Sequence, residues 1–303
     1  MNSEIKYIVD KNIVSLRLDR ALTLLNKEYS RAYFSNMIKN NQILVNGKSV
    51  SPSYNVKLND EITCFFKDQD SSLTPYEFKL DVIYEDEDIL VINKPKGLVV
   101  HPGGGHENDT LVNALIYNKK KLSTVNGALR VGIVHRIDKD TSGLLLICKN
   151  DKAHINIAEQ LKDHSMYRNY VALVDGVITK DAGKVIGPIG RDKNNRLKMA
   201  IDTVNGKDAI THFKVLKRYE KYTLIDCSLE TGRTHQIRVH MASIGHPLLG
   251  DEVYTNRKCP YQLTGQTLHA YILGFVHPRS NEYIETTAPL PDYFEKLLKK
   301  LPK

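Results

Sequence analysis

Short runs rich in β-branched and aromatic residues recur between Val82 and Val276, and helical stretches do not fall regularly between them. The runs lie at 82–84, 89–94, 131–134, 144–148, 170–174, 211–216, 222–229 and 271–276. Helical spacing is confined to 111–117, 153–162, 234–243 and 293–300. A doubly wound parallel sheet needs strand–helix–strand alternation, which this order lacks. The pattern predicts an α+β domain built on a mixed, largely antiparallel sheet. At 303 residues the chain is long enough for a second domain. The segment 69–75 is polar, aperiodic and ends in Pro75, which reads as a linker spanning 66–77. It divides a small α/β unit at 13–65 from a larger domain at 78–303.

In the small unit Leu18, Leu22 and Leu25 recur at helical spacing, with Arg17 and Arg20 available to the other face. Ser30 suits the N-cap of a second helix whose apolar positions are Phe34, Met37 and Ile38. A short strand at 42–45 then runs into Asn46-Gly47, a hairpin signal. Between Val14 and Lys48, Arg17, Arg20, Lys27, Arg31, Lys39 and Lys48 face only Asp19 and Glu28, a net charge of +4. That balance suits either a solvated helix face or a polyanion-binding surface.

Three stretches of the larger domain carry candidate chemistry. The first is H-R-I-D-K-D-T-S-G at 135–143, a polar loop expected between buried strands at 131–134 and 144–148. Asp138 lies between Arg136 and Lys139, and neighbouring positive charge favours a carboxylate's charged form. The same residues also suit a turn that only caps its own backbone. The second is E-T-G-R-T-H-Q-I-R-V-H at 230–240. On one helix Arg233 and Arg238 would occupy different faces, one meeting an interior carboxylate and the other a phosphate. The third is 184–198, where Lys184, Arg191, Lys193, Arg196 and Lys198 face Asp192 alone and Asn194-Asn195 marks a turn. A basic hairpin of this kind can hold phosphates in a nucleic-acid groove.

Other candidates fall away. The glycine-rich stretch 101–106 has no P-loop lysine, no accompanying G-x-S-x-G and no zincin spacing, so it reads as an active-site rim. Ile137 interrupts any kinase-like H-R-D. The quartet Glu85-Asp86-Glu87-Asp88 is expected as a solvated turn. Four scattered cysteines, Cys64, Cys148, Cys227 and Cys259, argue against a structural zinc site and suit a reducing cytoplasm. No apolar run approaches the ~20 residues of a membrane span, and residues 1–6 lack the build of a secretory signal. The formal charge of +8 favours a polyanionic partner.

Taken together, 135–143, R-N-Y-V-A-L-V-D-G at 168–176, T-G-R-T-H-Q-I-R-V-H at 231–240, I-G-H-P-L-L-G-D at 244–251 and L-H-A at 268–270 resemble the RluA/RluD family of pseudouridine synthases. The order of motifs is the family's, and only Ile137 departs, where leucine is usual. The N-terminal unit, with R-L-D-R-A-L at 17–22 and I-L-V-N-G-K at 43–48, resembles the small RNA-binding domain shared with a small-subunit ribosomal protein. The resemblance implies isomerisation of a flipped-out uridine to pseudouridine, without cofactor or metal. It implies Asp138 as the catalytic carboxylate, acting either covalently or on a sugar proton. Tyr170 would stack on the base and Arg238 would pair with the carboxylate. Arg136 would fill the gap left by the flipped base, and Arg233 and His235 would contact RNA. Arg17, Arg20, Arg31, Lys39 and Lys48 would hold phosphates on the small unit, as would Arg191, Lys193, Arg196 and Lys198 on the hairpin. The expected partner is large-subunit ribosomal RNA or its precursor particle, with no obligate protein partner. A non-catalytic RNA-binding or ribosome-assembly protein, a synthase acting on another structured RNA, and a hydrolase acting at the anomeric carbon are the alternatives.

Overall fold

The computed structural model describes residues 3–26, 31–66, 73–103, 105–195, 198–255 and 257–302. Ser30, Arg196 and residues 67–72 of the expected linker lie outside the described residues. The chain forms two units, Met1–Thr74 with Gly127–Leu129, and Pro75–Asn126 with Arg130–Lys303.

The small unit consists of β1 (Ser3–Ile8), α1 (Leu18–Leu25), α2 (Arg31–Lys39), β2 (Ile43–Val45) and β3 (Glu61–Phe66). It starts ahead of residue 13, because β1 pairs antiparallel with β3 and β3 in turn pairs with β2. Leu18, Ala21 and Leu22 from α1 pack with Phe34, Met37 and Ile38 from α2 against Ile43 and Ile62. Leu25, the third leucine of the helical spacing, is at the helix end and stays 37% exposed. The Asn46-Gly47 turn forms, with φ of 49° and 73° and paired bonds between Val45 and Lys48. It does not open a tight hairpin, since the strand that pairs with β2 is β3, beginning at Glu61.

The larger unit contains β4 (Val82–Glu85), β5 (Ile89–Lys94), α3 (Leu111–Tyr117), β6 (Ser142–Cys148), α4 (Asp151–Lys162), β7 (Tyr167–Asp175), β8 (Ala182–Ile186), β9 (Ile189–Arg191), β10 (Met199–Ile201), β11 (Ile210–Arg218), β12 (Tyr222–Leu229), α5 (Gln236–Ser243), β13 (Leu268–Val276), β14 (Tyr283–Thr287) and α6 (Asp292–Lys300). Its main sheet runs β4-β5-β6-β13-β7-β12-β11-β8, with β14 also on β13. Among the described strand pairs only β6 with β13 is parallel. The sheet is therefore mixed and largely antiparallel, as the lack of βαβ alternation predicts.

Both faces of the central strand are covered. Tyr170, Ala172 and Val174 of β7 join a core with Ile157 of α4 and Ile237 and Met241 of α5. Val171 and Leu173, offset by one residue and hence on the opposite face, pack with Phe294 and Leu297 of α6. Two expectations need correction here. Residues 131–134 form no strand and meet β6 only through a single bridge at Ile133, because Gly132 takes φ +71° and ends any extended run. The acidic quartet does turn between β4 and β5, but it is anchored rather than simply solvated. Asp86 accepts from the Tyr84 hydroxyl and the amides of Asp88 and Ile89, and Asp88 pairs with Arg279 at 2.7 Å.

Candidate active site

Four chain segments build one pocket, whose lining includes Arg136, Asp138, Tyr170, Arg233, His235, Arg238 and Leu268. Asp138 stands in the loop ahead of β6, Tyr170 projects from β7, and Arg238 lies in the first turn of α5. The loop is fixed from beneath by Lys94 at the end of β5. This lysine is fully buried, and its Nζ donates to the carbonyls of Pro95 and Leu98 at 2.8 Å and of Lys139 at 3.0 Å. Burial pushes its pKa down to about 7, while the charges of Asp140 and Asp138 act in the opposite sense. Gly97 N–H also donates to the Lys139 carbonyl. At the other end Gln266 donates to the Thr141 hydroxyl at 3.0 Å.

Arg238 Nη1 donates to Asp138 Oδ2 at 2.9 Å. The same guanidinium is gripped by Asp251, Nε to Oδ2 at 2.6 Å and Nη2 to Oδ1 at 2.9 Å. Burial opposes the charge on Arg238, but the Asp251 hydrogen bond and the Asp138 charge outweigh it and raise its pKa. A bidentate fork fixes a guanidinium plane, so Asp251 determines where Nη1 points. His235 Nε2 lies 3.8 Å from the same Asp138 oxygen, leaving Oδ1 outside both contacts. The hydroxyl of Tyr170 keeps its proton well above neutral pH, because burial raises its pKa.

The sequence neighbours of Asp138 do otherwise than expected. Arg136 bonds to His101 at 3.0 Å and Lys139 to His106 at 3.2 Å, so both turn to the glycine-rich stretch. The charge facing Asp138 comes from a residue 100 positions away. Arg233 and Arg238 do not share a helix either. Arg233 precedes α5 and donates to the Asp208 carbonyl at 2.9 Å, and His235 between them takes a left-handed φ of 58° at the N-cap.

The basic stretch forms the hairpin β9–β10, with Arg191 opposite Met199 and the Asn194 and Asn195 amides donating to Asp192. Lys193 is exposed and Lys198 half-buried. On the small unit Arg17, Arg20, Arg31, Lys39 and Lys48 are exposed. Arg17 and Arg31 also pair at 3.0 Å with Asp19, a buried carboxylate that the charge count treated only as an offset.

Sequence reasoning assigned no role to Asp251, Lys94, Tyr254 or Arg168. Asp251 ends the motif at 244–251, but its partner Arg238 lies on another element and leaves no local signal. Arg168 stands two residues before Tyr170 in another such motif and is buried at 6% exposure.

Residues 88–243 match the RNA pseudouridylate synthase family, and residues 16–62 match the S4 domain. The chain belongs to the RNA pseudouridylate synthase family. It is 47% identical to an uncharacterized RNA pseudouridine synthase of Bacillus subtilis, over 95% of each chain. It is 42% identical to ribosomal large subunit pseudouridine synthase D of Zymomonas mobilis, over 96% of this chain and 95% of that one. The fold is shared with human RNA pseudouridylate synthase domain containing 1, at a TM-score of 0.58 and 24% identity over 74% of this chain and 96% of that one. In this synthase the family match takes in the loop before β6, β7 and α5, which carry Asp138, Tyr170 and Arg238. No described helix is long and apolar enough to cross a membrane.

Proposed function

We propose that this synthase isomerises particular uridines of large-subunit ribosomal RNA to pseudouridine, with Asp138 as the reacting carboxylate. The observation that carries the reading is the Asp138–Arg238–Asp251 arrangement beside Tyr170. It holds one carboxylate at fixed orientation in the pocket that the Tyr170 ring also lines. Preorganised positioning of this kind supplies a large part of catalysis. The reaction breaks N1–C1′ and forms C5–C1′; C5 gives up its proton and N1 takes one up, so reactant and product are isomers. The target uridine must be unstacked for this. Arg136, exposed at the rim, is the side chain placed to occupy its position in the stack, and the Tyr170 ring supports the base. Asp138 serves either at the sugar or base carbon or as the base toward a sugar proton; both need the same fixed carboxylate.

The choice of RNA draws support from the named relatives and from the S4 domain match. The +4 charge between Val14 and Lys48 and the basic β9–β10 hairpin suit phosphate binding, and Arg196, expected as part of the hairpin, lies outside the described residues. The test is nucleoside analysis of a large-subunit ribosomal RNA transcript after incubation with the protein. The reading expects pseudouridine in place of uridine at unchanged mass. Free uracil would identify a hydrolase, and tight binding without either product would identify a non-catalytic RNA-binding protein.

A further inference from the structure

Contacts from three segments converge on Tyr254, in the turn opened by Asp251. Its ring lies over the Arg238 guanidinium, 5.0 Å from Cζ to centroid, and Lys198 Nζ stands 5.5 Å from the same centroid. Its hydroxyl accepts from the Met199 amide at 2.9 Å and is 2.8 Å from His235 Nδ1. Met199 and Lys198 belong to the basic hairpin, and His235 belongs to the pocket.

The hydrogen positions follow from chemistry. A backbone amide only donates, so the Tyr254 oxygen accepts from Met199. Burial pushes the Tyr254 phenol up to about 12, so at neutral pH it keeps its hydrogen and needs an acceptor. His235 Nδ1 is that acceptor, which leaves the hydrogen of the neutral imidazole on Nε2. Nε2 is the nitrogen 3.8 Å from Asp138 Oδ2. His235 reaches both groups from a left-handed backbone, which non-glycine residues seldom adopt. The charged groups around it are Asp138 and Arg136 from the loop before β6, Arg238 from α5, and Asp251 beyond α5. Burial lowers its pKa and outweighs the opposing pull of Asp138.

We propose that Tyr254 is a positioning residue which, through His235, couples the basic β9–β10 hairpin to the Asp138 carboxylate, so that RNA seated on the hairpin sets the carboxylate's geometry. This rests on the reading of Asp138 as the reacting group. Lys198 faces the ring and the adjacent Met199 amide holds the hydroxyl, so movement of the hairpin reaches His235 through one side chain.

Tyr254→Phe in the full-length protein keeps the ring over Arg238 and removes only the hydroxyl. On ribosomal RNA transcript the turnover number should fall about tenfold, the scale of one lost hydrogen bond. RNA affinity should stay within error and the unfolding midpoint should fall only slightly, for the Met199 amide loses its acceptor; a merely structural role would leave the pH profile unmoved. Nitrogen-15 spectra of the histidine rings should place the His235 hydrogen on Nε2 in the wild type. In Tyr254→Phe the freed Nδ1 should take up a proton at higher pH, and the fall of the rate on acidification should then begin at a higher pH. Lys198→Ala combined with Tyr254→Phe should cost no more turnover than Tyr254→Phe alone. Wild-type turnover and pH profile in Tyr254→Phe, multiplying effects in the double variant, or a wild-type His235 hydrogen on Nδ1 would each overturn the coupling. The ring spectra remain informative if Tyr254→Phe folds poorly. A wild type without turnover would instead remove the catalytic reading, leaving the tautomer result standing separately.

Discussion

Asp251 grips Arg238 through Nε and Nη2 and leaves Nη1 for Asp138, so the site's geometry depends on a residue outside the expected set. Asp251→Asn keeps the shape but withdraws the charge that fixes the guanidinium fork. Turnover should fall about 100-fold, the penalty of a misplacement of about an ångström, while RNA affinity should hardly change. Comparing single-turnover rates with binding titrations checks this; parallel loss of both would show that Asp251 supports only the fold. Asp138, Tyr170 and Arg238 could be picked out because each sits in a recognisable motif. The grip by Asp251 and the carbonyl clamp of Lys94 could not, because both are defined by burial and by chain segments that meet only after folding. Local charge gave a misleading cause as well: Arg136 and Lys139 turn to histidines, and the ion pair is made by distant Arg238.

At the scale of elements, the parallel contact between β6 and β13 brings the Asp138 loop into the sheet. Gly143 makes this contact possible. Its φ is +106°, and a Cβ there would stand 2.2 Å from the Ala270 carbonyl oxygen and 2.6 Å from its amide. Gly143→Ala should therefore destabilise the larger unit by about 2–6 kcal/mol, combining overpacking with backbone strain. Denaturant titration would show this as a lowered midpoint, and an unchanged midpoint would contradict the close approach. Strands and helices of the larger unit were mostly legible because hydrophobic period and β-branching survive into the fold. The run at 131–134 was not, since a short apolar run is ambiguous by period and Gly132 bends it away. The Asn46-Gly47 turn likewise formed without its hairpin, because turn chemistry is local whereas β3, the partner strand, is chosen by the small unit's core.

At the scale of the molecule, the proposed function divides the recognition of RNA between the catalytic sheet and the small basic unit. Substituting Arg20, Lys39 and Lys48 together by Glu should weaken RNA binding and flatten its salt dependence. The slope should lose about 0.7–0.9 for each phosphate contact removed; an unchanged slope would place RNA elsewhere. The integrity of that unit is tied to Asp19. Burial works against its charge, but the hydrogen bonds from Arg17 and Arg31 hold its pKa below the usual carboxylate range. The folded value being the lower one, this stabilisation is present above the unfolded pKa of about 3.9 and is lost as pH falls through the folded value. The gap in unfolding midpoint between wild type and Asp19→Asn should thus be steady between about pH 6 and 8 and close below about pH 4. A gap that persists in acid would contradict the assignment.

The central claim, that Asp138 carries out the isomerisation, is tested most directly by tritium release. Large-subunit ribosomal RNA transcript labelled at uridine C5 is incubated with the wild type and with Asp138→Asn at RNA concentrations where both are saturated. The account predicts stoichiometric release by the wild type and none by Asp138→Asn, with RNA affinity nearly equal. Release by Asp138→Asn at the wild-type rate would contradict it.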